Sequence, residues 1–290
     1  MSIVKRPKAT VPNHFFSTFA QTQSKILDFS KKVVWITGAS SGIGRALALA
    51  FAKKGADIVL SSRKRPQLEL VQDACQNLGA ECLVLPLDLA DSSHFPARAE
   101  EVIQKFGKID ILINNGGMSQ RSLIKETPLD LDRKLMEINY FGNIALTKAV
   151  LPHMLAQKSG HIVTVTSIAG KFGFPLRSAY SASKHALHGF YETMRTELKN
   201  DNIQVTIAIP GRVKTQISVH ALLKDGSANN KMDEGQASGI SAEKCAADII
   251  KAIQKNKKEV LIGGKELWLA HIHRFVPSLY YRIVDKVKPT

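Results

Sequence analysis

Lys32-Val33-Val34-Trp35-Ile36-Thr37-Gly38-Ala39-Ser40-Ser41-Gly42-Ile43-Gly44 decides the fold. The first six residues are a short apolar run that ends at Gly38, and from Ile43 to Lys54 small and apolar residues recur at helical spacing. This predicts a strand, a glycine-rich turn and a helix in succession, a place where backbone N–H groups and a helix N-terminus attract a pyrophosphate. The spacing is G-x-x-x-G-x-G rather than G-x-G-x-x-G, so the general dinucleotide fingerprint does not strictly match. On this stretch alone, a turn that serves only close packing stays open.

Outward from the turn the alternation continues. Strands are predicted at Asp57 to Leu60, Cys82 to Leu85, Ile109 to Ile113, His161 to Thr166, Ile203 to Ile209 and Glu259 to Ile262. Helical patterns cover Pro66 to Leu78, Ser92 to Phe106, Leu129 to Gln157 as one long helix, Ala179 to Lys199, and a segment starting near Ser241. Strands separated by helices are too far apart for hairpins, which implies a doubly wound α/β domain: a parallel sheet of about seven strands with both faces covered. The expected organisation is an arm over 1–30, one Rossmann-type domain over 31–263 and an amphipathic tail over 264–290. Arg212 to Gly239 is long, polar and Gly/Ser/Asn-containing, and reads as a mobile loop with a lid's role.

Composition narrows the function. The chain has 290 residues, 44% of them apolar, enough for one large core. Lys and Arg number 40 against 25 Asp and Glu, a surplus of fifteen that suits nucleic acid, an anionic membrane, an anionic small molecule or merely a solvated surface. The surplus is dispersed, with small groups at Lys5, Arg6, Lys8 and at Lys255, Lys257, Lys258, and no basic groove interleaved with stacking aromatics is visible, so nucleic acid is not expected. Cys75, Cys82 and Cys245 are widely spaced and form no C-x-x-C or Cys/His cluster, so neither a disulfide framework nor a metal site is expected, and a reducing, cytoplasmic setting fits. No apolar run is long enough to span a membrane and the first thirty residues lack a signal-peptide pattern.

Four further motifs follow in order: Asn114-Asn115-Gly116-Gly117 after the fourth strand, Asn139, Ser167, and Tyr180-x-x-x-Lys184. Taken with T-G-x-x-x-G-x-G at Thr37 to Gly44, the chain resembles the classical short-chain dehydrogenase/reductase family over most of residues 31 to 262. Its tail and its Asn-Asn-Gly-Gly variant look most like the dehydrogenase/reductase member 7-type branch. Gly117 stands where the family usually has Ala, a small-for-small exchange expected to leave the backbone path open.

The resemblance implies a nicotinamide cofactor site made of Gly38, Ser40, Ser41, Gly42, Ile43 and Gly44 in the turn, Arg63, Asp88 and Leu89 after the second and third strands, Asn115 and Gly116 after the fourth, Tyr180 and Lys184, and Pro210, Val213 and Thr215 after the sixth. Asn114 is implied to stabilise the sheet. The second strand ends Ser61-Ser62-Arg63-Lys64 with no carboxylate to bond a ribose hydroxyl, and a guanidinium there suits a phosphate, so NADP(H) is expected. A solvated Arg63, and an Asp88 that only caps its own turn, remain alternatives.

Hydride transfer to a carbonyl leaves negative charge on oxygen, which calls for an oxyanion stabiliser and a proton source. Tyrosine's ordinary pKa, about 10, is too high for ready exchange at neutral pH unless a cation favours the phenolate, and Lys184 shares a helix face with Tyr180 at i, i+4. Ser167 at a strand end can orient the substrate oxygen. Asn139 sits mid-helix, where Asn is unfavourable; the resemblance implies that it holds a water linking Lys184 to solvent, and a satisfied amide bracing the helix is the alternative.

The substrate pocket is expected from Phe172 to Leu176, Arg212 to Gly239 and the tail, with a mostly apolar lining, and the branch implies a lipophilic carbonyl or alcohol. The tail's Trp268, Phe275, Leu279, Tyr280 and Tyr281, interleaved with Arg274 and Arg282 and interrupted by Pro277, suit a membrane interface or packing on protein equally. A homodimer or homotetramer completes the expectation. Rival functions are a ketoacyl reductase acting on acyl carrier protein and a non-catalytic NADP-binding module.

Overall fold

Along the first strand, Val34 and Ile36 face one side of a sheet while Val33 and Trp35 face the other, and both pairs are buried. A strand apolar on both faces needs helices above and below it. The computed structural model describes residues 27–284, so most of the 1–30 arm, including Lys5, Arg6 and Lys8, and residues 285–290 of the tail lie outside the described residues.

In chain order the elements are β1 (Val33–Thr37), α1 (Gly42–Ala52), β2 (Asp57–Ser61), α2 (Arg65–Gln76), β3 (Cys82–Val84), α3 (Phe95–Phe106), β4 (Ile111–Asn114), α4 (Leu129–Met136), α5 (Gly142–Gln157), β5 (Gly160–Val165), α6 (Ser178–Glu197), β6 (Ile203–Pro210), α7 (Glu234–Ala237), α8 (Ala242–Gln254), β7 (Glu259–Ile262), α9 (Trp268–Phe275) and α10 (Pro277–Val284). Every strand pairs in parallel, in the order β3-β2-β1-β4-β5-β6-β7. The order reverses between β1 and β4, so the loops leaving their carboxyl ends diverge and open a crevice there.

One core layer joins Val34, Ile36 and Leu60 to Leu47 and Phe51 of α1, Leu68 of α2 and Ile249 of α8. The other joins Trp35, Leu112 and Ile162 to Phe95 of α3, Leu146 of α5 and Tyr191 of α6. Burying Trp35 leaves its indole N–H to be satisfied: it donates to Ser61 Oγ at 2.8 Å, which donates in turn to the Leu85 carbonyl at 2.7 Å. Phe29 is buried edge-on against Phe51, 5.0 Å between ring centroids, so the core takes in the end of the segment read as an arm.

The single long helix expected from Leu129 to Gln157 is interrupted by a π-helical turn at Glu137–Phe141. The wider turn frees carbonyls, and the Asn143 amide takes them up, donating to Asn139 O at 2.7 Å and Ile138 O at 3.2 Å, and reaches Gly116 O in the loop after β4 at 3.3 Å. The apolar spacing runs on through such a turn, so periodicity does not reveal it.

The segment 212–239, whose polar composition suggests a free loop, carries α7. It pairs by single bridges, Val213 with Ile240 and Leu222 with Gln120. The tail packs on the domain: Leu269, Ile272 and the buried Tyr280 meet Ile168, Phe172 and Phe174, with Tyr280 and Phe172 rings 5.1 Å apart. Pro277 ends α9 and starts α10 at a position where no N–H is needed. Among the described residues no helix is long and apolar enough to cross a membrane.

Candidate active site

The glycine turn closes because Gly38 (φ 65°) and Gly42 (φ 53°) take left-handed backbone conformations. Gly44 has a different task. A β-carbon on it would lie 2.2 Å from the Gly38 carbonyl oxygen, so its bare backbone lets α1 pack against the turn. From β4, Asn115 Nδ2 donates to Thr37 O at 2.9 Å, while the Asn115 and Gly116 N–H groups donate to Thr37 Oγ1 at 3.0 and 2.8 Å. The two diverging loops are thereby locked together. Ser41, which precedes α1, makes no side-chain cap, leaving the N–H groups of the first turn to meet an anion.

A cleft of about 510 Å³ lies over this junction. Gly38, Ser40, Ser41, Gly42, Ile43, Arg63, Asp88, Leu89, Asn115, Gly116 and Thr215 all line it. Size, glycine cradle and open helix N-terminus fit a dinucleotide. Gly44, Tyr180, Lys184, Pro210 and Val213 do not line it: Gly44 is packed against the turn, and Val213 is buried beside its bridge to Ile240. Asp88 also accepts from Ala90 N at 3.0 Å, so it shapes its own turn as well as the wall. Asn114 points away from the cleft, donating to Thr147 Oγ1 at 2.8 Å and Tyr191 OH at 3.0 Å, and ties β4 to α5 and α6.

Beside this cleft a second cavity of about 150 Å³ holds Ser167 and Tyr180, with Ile217 forming part of both walls. Tyr180 is buried on α6. Lys184, one turn on, donates from Nζ to the Val165 carbonyl at 2.9 Å, and its ammonium is 5.9 Å from the centre of the Tyr180 ring. Ser167 Oγ accepts from Ala169 N at 3.2 Å. Asn139, fully buried in the π turn, accepts the Met118 N–H at 2.8 Å and donates to the Met118 carbonyl at 2.9 Å and to Ser183 Oγ at 3.1 Å. Gly117 lies where Asn139 and Lys184 face each other: a β-carbon there would be 2.9 Å from Asn139 Oδ1 and 3.6 Å from Lys184 Nζ. The exchange for Ala therefore changes the space beside these two groups, beyond leaving the backbone path open.

Burial pushes the Tyr180 phenol above its ordinary range, and the Ser167 hydroxyl and the charges of Arg177 and Arg121 oppose the rise. Burial pulls Lys184 down to about 8. The depressed phenol expected from its position one helical turn before Lys184 is thus not what the protein matrix alone supplies.

The smaller cavity departs from its expected apolar lining. Ile168, Phe174, Pro175 and Ile217 supply apolar walls, but Arg121, Arg177, Arg212 and Asp233 line it too. Asp233 bonds both Arg121, through Nε and Nη2, and Arg177, through Nη2 at 2.8 Å. Arg212 and Asp233 belong to the 212–239 segment expected to line the pocket, whereas Arg121 and Arg177 lie outside the expected segments. Arg177 stands three residues before Tyr180 and had a positional signal; Asp233 lies deep in the 212–239 segment and had none of its own.

Residues 32–225 match the family model described as short chain dehydrogenase. The mouse protein named dehydrogenase/reductase SDR family member 7B is 44% identical over 257 residues, covering 87% of this chain and 80% of its own. An Anopheles gambiae protein named dehydrogenase/reductase SDR family protein 7-like is 42% identical over 278 residues, covering 93% of this chain and 87% of its own. A solved short chain dehydrogenase/reductase from Burkholderia phymatum, in complex with NAD, aligns with TM-score 0.78 at 25% identity over 91% of this chain and 98% of its own.

Proposed function

Since the chain belongs to the short chain dehydrogenase family of oxidoreductases, we propose that it interconverts a carbonyl and an alcohol using NADP(H), with Tyr180 as the acid/base. The observation that carries this reading is the convergence of Tyr180 and Ser167 on one cavity that shares the Ile217 wall with the dinucleotide-sized cleft. When bound, the cofactor supplies a hydride to the carbonyl carbon, or accepts one from the alcohol. In reduction, Ser167 orients the substrate oxygen and Tyr180 gives it a proton as it gains negative charge; in oxidation Tyr180 takes that proton back. The Lys184 ammonium stabilises the phenolate left on Tyr180. Asn139 fixes the loop at Met118, and the space beside Gly117, between Asn139 Oδ1 and Lys184 Nζ, suits a water that returns the proton.

Arg63 supports the choice of NADP(H), because it lines the cleft at the end of β2 with Ser62 and Lys64 and no carboxylate accompanies them. Ile168, Phe174, Pro175 and Ile217 support a lipophilic skeleton in the substrate. A carbonyl-substrate panel followed by NADPH absorbance tests the reading. Tyr180→Phe should lose turnover while retaining NADPH binding, and full turnover by that variant would overturn it.

We propose in addition, as separate points, a cytoplasmic protein that forms a homodimer or homotetramer and makes peripheral membrane contact through its tail. Exposed Trp268, Phe275, Leu279 and Tyr281 beside Arg274 and Arg282 support that contact. Liposome flotation with and without residues 264–290, and sedimentation, test these points; no binding to liposomes in either form removes the membrane contact.

A further inference from the structure

The charges around the smaller cavity do not balance. Arg121 and Arg177 have side chains only 7% and 17% exposed, and they share the single carboxylate of Asp233, itself 12% exposed. Arg212 adds a third guanidinium to the lining, but it is exposed and has Glu266 beside it, accepting the Arg212 N–H at 2.8 Å, so the imbalance is that of the buried Arg121, Arg177 and Asp233. One buried positive charge therefore stays uncompensated next to Tyr180. Burial and the like charge of Arg121 already pull Arg177 below its ordinary range, which is the signature of a cation held where water does not fully solvate it. An anion entering the cavity would relieve that cost.

The hydrogen bonds identify which guanidinium is available. Arg121 is committed: Nη1 donates to Ser119 Oγ at 2.8 Å and to Gln120 O at 2.6 Å, while Nε and Nη2 hold Asp233. Arg177 spends one N–H on Pro175 O at 3.0 Å and one on Asp233, leaving three of a guanidinium's five donors without a partner among the described residues. Asp233 and Pro175 fix the plane of that fork in advance, so little freedom is lost when it takes a two-oxygen ligand.

We propose that Arg177, backed by Arg121, binds an acidic group of the substrate, a carboxylate or a phosphate, so that the protein acts on an anionic oxo compound and its hydroxy counterpart. The apolar walls take the carbon skeleton and Arg177 takes the charged end. The proposal rests on the reading of Tyr180 as acid/base and names the substrate class for that site. It makes Arg177 a specificity residue that no motif of the sequence assigns.

Calorimetry on the full chain saturated with NADP+, which has no hydride to give an oxo compound, tests it, with levulinate, methyl levulinate and hydroxyacetone phosphate as probes. At least one anion should bind roughly tenfold or more tighter than the neutral ester, as a charge-assisted pair provides. Whichever of the two anions binds tighter tells carboxylate from phosphate. Arg177→Gln should abolish the preference and Arg177→Lys should restore part of it. Tyr180→Phe should leave the preference intact, so loss of turnover in that variant judges the acid/base reading separately. Equal affinity for ester and anions, binding of none of the three, or a preference that survives Arg177→Gln overturns the proposal.

Discussion

Asn139 holds both main-chain groups of Met118 at once, accepting its N–H at 2.8 Å and donating to its carbonyl at 2.9 Å, from inside a π-helical turn. The amide thereby ties the interrupted helix to the loop that follows β4. Asn139→Ala strips partners from both groups, and because Met118 is only half-buried, water recovers part of the loss. A destabilisation of roughly 2 kcal/mol is expected in urea unfolding, together with reduced turnover. An unchanged midpoint would mean that the bracing bonds carry no net stability.

Gly44→Ala places a methyl group 2.2 Å from the Gly38 carbonyl oxygen, an approach that only a shift of α1 or of the turn relieves. Weaker cofactor binding, by about tenfold or more, and a lower melting temperature should appear together. Gly189 provides the contrast, since it lies within α6 and a β-carbon there would meet nothing within 4 Å. Gly189→Ala should therefore stabilise the chain by roughly 0.5–1 kcal/mol. If the two variants melt alike, close packing at Gly44 is not what the turn requires.

Lys184 titrates near 8 because it is buried, so its charge is present below that pH and lost above it. If that charge supports proton transfer at Tyr180, kcat/KM for carbonyl reduction should be level below about pH 8 and fall as pH rises through it. Lys184→Arg keeps a cation at all these pH values, so whatever activity it retains should not fall over that range. An alkaline limb of the same midpoint in both proteins would assign the titration to another group.

Much of this was legible in the sequence, for reasons that differ between elements. The strands of the parallel sheet are continuous apolar runs bounded by Gly, Pro or charge, so β1, β2, β6 and β7 emerge almost to the residue. The cradle of Gly38, Ser41 and Gly42 is legible because a tight turn and a helix start impose fixed spacing on neighbours in the chain. The π turn at Asn139 is not, since i, i+3 and i, i+4 apolar contacts persist across it. The pairing of Arg121 with Asp233 joins residues 112 positions apart, and a polar loop gives no pattern by which to find it. Gly44 shows a further limit: motif spacing marks the residue as part of the cofactor turn without telling contact with a ligand from contact with the turn itself.

Arg63 is exposed at the end of β2 and lines the larger cleft, where a ribose phosphate would meet a fork of donors on a strand end that carries no carboxylate of its own; Asp88, after β3, is the acid of the adjoining wall. Arg63→Ala should raise the Kd for NADPH about tenfold or more and leave that for NADH nearly unchanged; Arg63→Asp should reverse the preference. Fluorescence titration with both cofactors reads this directly. Equal affinities in the unmodified chain would remove the assignment of NADP(H).

His161 and His188 set the acid limit of stability. Burial holds the imidazole of His161 down at about 4 and that of His188 at about 3, against an ordinary value of 6.5. His161 Nε2 is 2.8 Å from Thr206 Oγ1 between neighbouring strands, a place with no room to solvate an imidazolium. The unfolded chain therefore binds protons first as pH falls below 6.5, while the folded chain binds them only near 4 and 3. The histidine contribution to stability is complete above 6.5 and is lost progressively below it, by up to about 3 kcal/mol for His161 alone. Lys184 is protonated in both states over this range and adds no slope, and the depressed Asp110 contributes only below the ordinary carboxylate range. Urea midpoints measured between about pH 7 and about pH 5 should fall in the unmodified chain and fall less steeply in His161→Gln; equal slopes would place the titrating group elsewhere.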